Sequence, residues 1–231
     1  MPRRASLVLV LALLGVTATA FAVTERLKLE PVPVEATRVD TVFSPVCNCP
    51  QDRAAVQLRV RRTDHLTLLV LNANGKKVRE LAHDLRIGKG LANFAWDGRD
   101  ENGNRVPDGT YRVRLELRHE GRTINLPRRI VVDTVAPVAR LVSYSPHVLR
   151  RSRGPRVLVR YRLSQPAHAV LFVNDRRQVR TGSSKTSGAF QWFARVDGKR
   201  LPPGKYRLRL AGLDDAGNLG PRTPAFVLRV R

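Results

Sequence analysis

Two cysteines one residue apart, Cys47 and Cys49, are the first residues in this 231-residue chain whose type and spacing could carry chemistry. In an exported protein they read as an oxidised local pair, with an unpaired or intermolecular thiol pair as the alternative. A metal centre needs more ligands than two, and His65 and His83 stand at no recognised ligand spacing. Asp214 and Asp215 could attract a cation, but with no third carboxylate nearby they read as a solvated turn. Ser183, Ser184 and Ser187 lie in TGSSKTSG, whose composition suggests phosphate contact. That run lacks both the GxxxxGK[ST] pattern and the strand-to-helix setting of a P-loop, so a flexible inter-strand loop is expected. None of the five histidines stands in a catalytic constellation. The expectation is a protein without catalytic residues, metal or cofactor, and not an enzyme.

The arginines are a different matter. Lys and Arg number 42 against 19 acidic residues, a formal net charge of +23. The excess is uneven: residues 25–136 carry 20 basic and 15 acidic residues, residues 137–231 carry 20 and 4. Arg160 and Arg162 flank Tyr161, and Arg207 and Arg209 alternate with Tyr206, Leu208 and Leu210. A period of two on strands puts them on solvent faces, where Arg160, Arg162, Arg207 and Arg209 are candidates for binding an anionic polymer or lipid surface. The loop from Arg150 to Gly154 and the pair Arg176-Arg177 add to that reading. The competing reading is a solubilising surface whose edge charges oppose aggregation. Nucleic acid is not expected as a partner, because no reader motif or run of stacking aromatics accompanies the charge.

These residues need strands to position them. The clearest element is the hairpin FAWDGRDENGNRVPDGTYRVRLEL, residues 94–117. Phe94 and Trp96 end one apolar alternation, Tyr111 to Leu117 form another, and a turn rich in Gly, Asp and Asn joins them. Trp96 is the expected core anchor and Tyr111 its partner. Upstream, Val56 to Val60, Leu66 to Val70 and Val78 to Ala82 read as strands, and Arg122 to Val132 follows the hairpin. Six or seven short strands with closely spaced turns predict a β-sandwich, with little helix.

At the N-terminus, Arg3 and Arg4 precede 19 uncharged residues, Ala5 to Val23. This is an expected export segment, either a signal peptide or a retained signal-anchor transmembrane helix, with the remainder outside the cytoplasmic membrane. Residues 25–38, punctuated by Pro31 and Pro33, read as a stalk.

The hairpin WDGRDENGNRVPDGTYRVRLEL, with LTLLVLNANGKKVRELA before it, resembles the FlgD-type (flagellar hook-capping) immunoglobulin-like domain over about Val39 to Thr134. The resemblance implies a module of exported bacterial proteins that serves attachment, assembly or spacing. It extends to the module and not to the hook-capping protein. It also departs at Phe43-Ser44-Pro45, which runs into Val46-Cys47-Asn48-Cys49-Pro50 where relatives often have a polar turn.

Residues 137–231 then repeat the pattern. Tyr144-Ser145-Pro146 answers Phe43-Ser44-Pro45, Phe190-Gln191-Trp192 answers Phe94-Ala95-Trp96, and the segment Leu201 to Tyr206 answers Val106 to Tyr111. Trp192 and Tyr206 are thus the second copy's core signature. The expected fold is all-β: two tandem immunoglobulin-like β-sandwiches, residues 39–134 and 137–231, after an N-terminal hydrophobic helix and a stalk. The expected role is a non-enzymatic structural or interaction protein of the bacterial cell envelope, with a protein partner or an anionic envelope polymer.

Overall fold

The structure, a computed structural model, describes residues 12–19, 21, 33–150 and 156–231. Apart from helix at 12–19 and 21, the described chain is strand, turn and loop. No described helix is long and apolar enough to cross a membrane. Most of the expected hydrophobic segment and stalk lies outside the described residues, as do residues 151–155 of the arginine-rich loop.

Eight strands form a first group: β1 (Val34–Val39), β2 (Val42–Phe43), β3 (Ala54–Val60), β4 (Asp64–Leu71), β5 (Lys77–Ile87), β6 (Gly90–Trp96), β7 (Gly109–Leu117) and β8 (Arg122–Val132). One sheet has the order β1-β3-β6 and the other β2-β8-β7-β4-β5. All pairings are antiparallel except β2 with β8, which run parallel. The period-two apolar pattern explains the layering. Val56, Leu58 and Val60 of one sheet and Leu66, Leu68, Val113 and Leu115 of the other are buried in a single cluster. Two sheets with one shared core make a sandwich. Its first strand takes in residues 34–38, which the Pro-punctuated composition assigns to a stalk; Val34 and Val39 are buried against β3.

A second group holds β9 (Ala139–Ser145), β10 (Val148–Leu149), β11 (Val157–Val173), β12 (Arg176–Arg180), β13 (Lys185–Trp192), the short β14 (Arg195–Val196) and β15 (Lys199–Arg200), β16 (Gly204–Leu213) and β17 (Phe226–Val230). Here β11 is long enough to serve both layers. Its first part, residues 157–163, pairs with β9 and β13, and its last part, residues 168–173, pairs with β16 and β12. The layers read β9-β11-β13 and β10-β17-β16-β11-β12, with β10 parallel to β17. A second, separate core lies between them, including Val159, Tyr161, Leu171, Leu208, Leu210 and Leu228. What β3 and β4 do in the first group as two strands, β11 does as one.

Two sequence expectations change here. Tyr144-Ser145 is not the counterpart of Phe43-Ser44, because it sits on β9 opposite Leu158 and Val159. The residue that pairs with the last strand as Phe43 does with Val132 is Leu149, opposite Val230. Residues 185–188 of TGSSKTSG are not loop but the start of β13. Gly188 lies opposite Tyr161, whose hydroxyl would be 2.8 Å from any Cβ placed there, so the missing side chain is what admits the ring.

Candidate functional site

The hairpin between β6 and β7 is closed by its own aromatic residues. Trp96 is fully buried, with its ring 4.9 Å from Tyr111 and 5.6 Å from Phe43. Its Nε1–H donates to the Arg99 carbonyl (3.0 Å), and the Arg99 guanidinium donates to the Gly103 carbonyl (2.6 Å). The Tyr111 hydroxyl donates to the Pro107 carbonyl (2.7 Å). Each large ring therefore sits in the core while its polar atom satisfies the turn. At about 25 cal/mol per Å², burying a Trp of roughly 150–250 Å² contributes up to about 4–6 kcal/mol.

The second group uses the same bonds. Trp192 Nε1–H donates to the Arg195 carbonyl (3.2 Å), Arg195 donates to the Gly198 carbonyl (3.2 Å), and the Tyr206 hydroxyl donates to the Pro202 carbonyl (2.8 Å). Even the strained turn position recurs. Gly98 has φ +73° and accepts from Val106 N–H, and Ala194 has φ +46° and accepts from Leu201 N–H. The four signature residues thus close cores, and their polar atoms are spent on their own turns.

Cys47 and Cys49 are joined as a disulfide. The loop they close lies against the turn after β16, where a Cβ at Gly217 would collide with Cys49 Sγ. That turn is not the solvated one its composition suggests. Asp214 is buried, and its carboxylate accepts Asn218 N–H (2.8 Å) and Asn218 Nδ2–H (3.0 Å). Burial pushes the Asp214 carboxyl above the usual aspartate range, an effect the Asn218 bonds only partly offset. Asp215 turns outward and meets His168 Nε2 at 3.2 Å. No three His, Cys, Asp or Glu side chains stand together among the described residues in a way that would hold a metal ion.

Asp64, at the start of β4, gave no signal in sequence. It is buried, and its carboxylate accepts from three backbone N–H groups: His65 (2.6 Å), His119 (2.8 Å) and Glu120 (3.2 Å). Burial raises its pKa, but the three bonds outweigh burial and hold the carboxyl below the usual range. Two of its three partners, His119 and Glu120, lie more than fifty residues away, so only the fold brings them to it.

The candidate arginines separate onto two faces. Arg160 and Arg162 project from the β9-β11-β13 layer, where Arg162 lies opposite Arg140 and Ser187, and Arg160 opposite Ser143 and Ala189. Arg207 and Arg209 project from the other layer, on the far side of the core that Tyr161 and Leu208 share. One compact ligand cannot touch all four. Arg209 is also engaged, since Asp175 takes Arg222 at 2.7 Å and Arg209 at 3.9 Å while Arg222 lies 4.2 Å over the Phe172 ring. No ion pair involves Arg160, Arg162 or Arg207 among the described residues.

A hollow of about 580 Å³ lies between the turn after β4 and the β6–β7 turn. Its acids are occupied: Asp100 accepts Asn102 and Asn104 N–H, Glu101 accepts Glu80 N–H, and Asp108 accepts Thr134. A smaller hollow of about 430 Å³ on the second group is lined by His147, Val148, Lys205, Val227 and Arg229.

Residues 51–121 match the FlgD Ig-like domain family. The match contains the Trp96 hairpin and strands β3 to β5, leaves out β1 and β2, and ends before β8. No curated protein sequence matches the chain. Among solved structures, the fibronectin(III)-like modules of Clostridium thermocellum CbhA align with 86% of this chain and 94% of theirs, at 11% identity and a TM-score of 0.48. The D0-D1 domain of Intimin aligns over 84% and 98% at 9% identity and a TM-score of 0.32. Titin domains I67-I69 align over 87% and 66% at 9% identity and a TM-score of 0.35.

Proposed function

We propose that this chain is a non-enzymatic structural or interaction protein that displays two tandem immunoglobulin-like sandwiches outside the cytoplasmic membrane of a bacterium, tethered or exported by its N-terminal segment. The observation that carries the reading is the hairpin built twice. In each copy a Trp, an Arg and a Tyr make the same three turn-closing bonds, beside one core that has the FlgD-like pattern. A chain that spends its signature residues on rigidity is suited to presenting sheet faces, and the partner is an envelope protein docked on one of them, for assembly, attachment or spacing. The test is binding of the full chain to the envelope fraction of its own organism across a salt series. Saturable binding that persists at high salt is expected, and binding to no envelope component would sink the reading.

A second reading has its own observation: the opposed arginine faces of residues 137–231, where the basic excess is concentrated. On that reading the second sandwich binds an anionic envelope polymer, and envelope binding falls steeply as salt rises.

A further inference from the structure

We propose that the hollow lined by His147, Val148, Lys205, Val227 and Arg229 seats a phosphate group of a linear polyanion, whose next charge lies over Arg207. The proposal rests on the polyanion reading above and gives it a site. Lys205 on β16 and Arg229 on β17 are direct register partners, two like charges set side by side. Such a pair opposes sheet formation and is relieved by an anion between them. Val148 on β10 is the partner of Arg229 on its other side, so the three strands present one row across the hollow. His147 stands at the rim, held by an edge-on contact with Tyr144 at 4.3 Å; the Arg229 N–H donates to the His147 carbonyl (3.0 Å). Tyr144 is itself fixed by its hydroxyl, which donates to the Val227 carbonyl (2.9 Å).

No acidic side chain lines the hollow, and no ion pair involves Lys205 or Arg229 among the described residues. Val148 and Val227 complete the lining. Two cations and an imidazole around one hollow suit a compact oxyanion such as phosphate. Arg207 follows Lys205 in the same outward phase and lies opposite Val227. Two residues along a strand is about 7 Å, so a chain of anionic groups laid along β16 meets Lys205 and then Arg207. Beyond them Arg209 is already bound to Asp175, which ends the run of free charge. A polymer fits this better than a lipid surface, because the cations sit around a depression and follow one another along a single strand, Lys205 and then Arg207. The β9-β11-β13 face has a cross-strand Arg140–Arg162 pair, but its arginines lie on the other layer and do not line this hollow.

The experiment titrates the full chain with sodium polyphosphate, with inorganic phosphate as the single-group probe and phosphatidylglycerol vesicles as a third arm. Lys205→Gln/Arg229→Gln is expected to weaken polyphosphate binding at least about tenfold, the loss of two charge-assisted contacts. The same double variant should lower the slope of log affinity against log salt by about 1.5–2. Arg160→Gln/Arg162→Gln should change binding by less than about twofold. All four positions are on outer faces, and a thermal transition equal to the parent's confirms that each variant folds. Binding lost only in the Arg160/Arg162 variant overturns the site and leaves the polyanion reading standing. No binding of polyphosphate at low salt overturns both. Vesicle binding that needs Lys205 and Arg229, with polyphosphate ignored, overturns the polymer in favour of a lipid headgroup.

Discussion

Single side chains here answer for whole turns, and that makes their removal informative. Trp96→Ala deletes the largest buried side chain of the first core and leaves the Arg99 carbonyl without its donor. A loss of about 3–5 kcal/mol is expected, read as a lower denaturant midpoint. Tyr111→Phe keeps the ring and removes only the bond to Pro107, so about 1 kcal/mol is expected by the same measurement. Asp64 and Asp214 make a second, opposed pair. Asp64 is held below the usual range, so its contribution is complete above the unfolded aspartate value of about 3.9 and is lost as pH falls through the folded value. Asp214 is held above the range, so its sign reverses: stability is greatest below about 3.9 and declines as pH rises through the folded value. Denaturation of the parent, Asp64→Asn and Asp214→Asn is followed from about pH 3 to about pH 7. The stability gap between parent and Asp64→Asn should widen with rising pH. The parent's stability relative to Asp214→Asn should fall, in a window that begins where the first one ends. Parallel profiles for parent and both variants would show that neither carboxyl is shifted.

At the level of elements, the β6–β7 turn isolates packing from backbone strain. Gly98 and Gly103 both have positive φ, +73° and +78°. A Cβ at Gly98 would meet Pro45 at 3.1 Å and Phe43 at 3.3 Å, whereas a Cβ at Gly103 meets nothing. Gly103→Ala should therefore cost only the left-handed conformation, about 1 kcal/mol, and Gly98→Ala about 2–3 kcal/mol. Equal costs, measured by thermal unfolding, would mean that Pro45 and Phe43 yield freely. The hairpin was legible because its information is local: alternation, turn residues and the Trp and Tyr all fall within 24 residues. The same holds for the outward phase of Arg207 and Arg209, since a strand has only two faces. What sequence missed is what only long-range pairing decides. Val34 to Val39 is a strand because β3 offers it a partner, and nothing in a segment that follows two prolines announces that. Nor does any local signal show that residues 157–173 form one strand crossing from one layer to the other. Asp214 looked solvated because Asp, Gly and Asn usually mean an exposed turn, and it is buried because the chain at Asp133 passes over it.

That last contact belongs to the molecule as a whole. Residues 133–138 connect the two groups of strands and lie against the second: Pro137 packs on Gly212 and Gly220, two positions where a Cβ would strike it. Asn218 Nδ2–H donates to the Asp133 carbonyl (2.8 Å) as well as to Asp214, and Gln165 Nε2–H donates to the Val135 carbonyl (2.9 Å). From the other side the Cys47–Cys49 loop rests on Gly217. The connection is therefore held by polar bonds, one of them half-buried, and by glycines that make room, with Asn218 beside both. Asn218→Ala removes the donor shared by Asp133 and Asp214 while leaving both cores intact, so the unfolding of each core should change little. The connection itself should loosen, seen as a larger radius of gyration in small-angle X-ray scattering and faster proteolysis within residues 133–138. Gly217→Val should act in the same direction from the opposite face, by pushing the disulfide loop away. If Asn218→Ala left both scattering and cleavage at parental values, the Asn218 bonds would not govern the junction, and the Pro137 packing, the Gln165 bond and the disulfide loop would suffice to hold it.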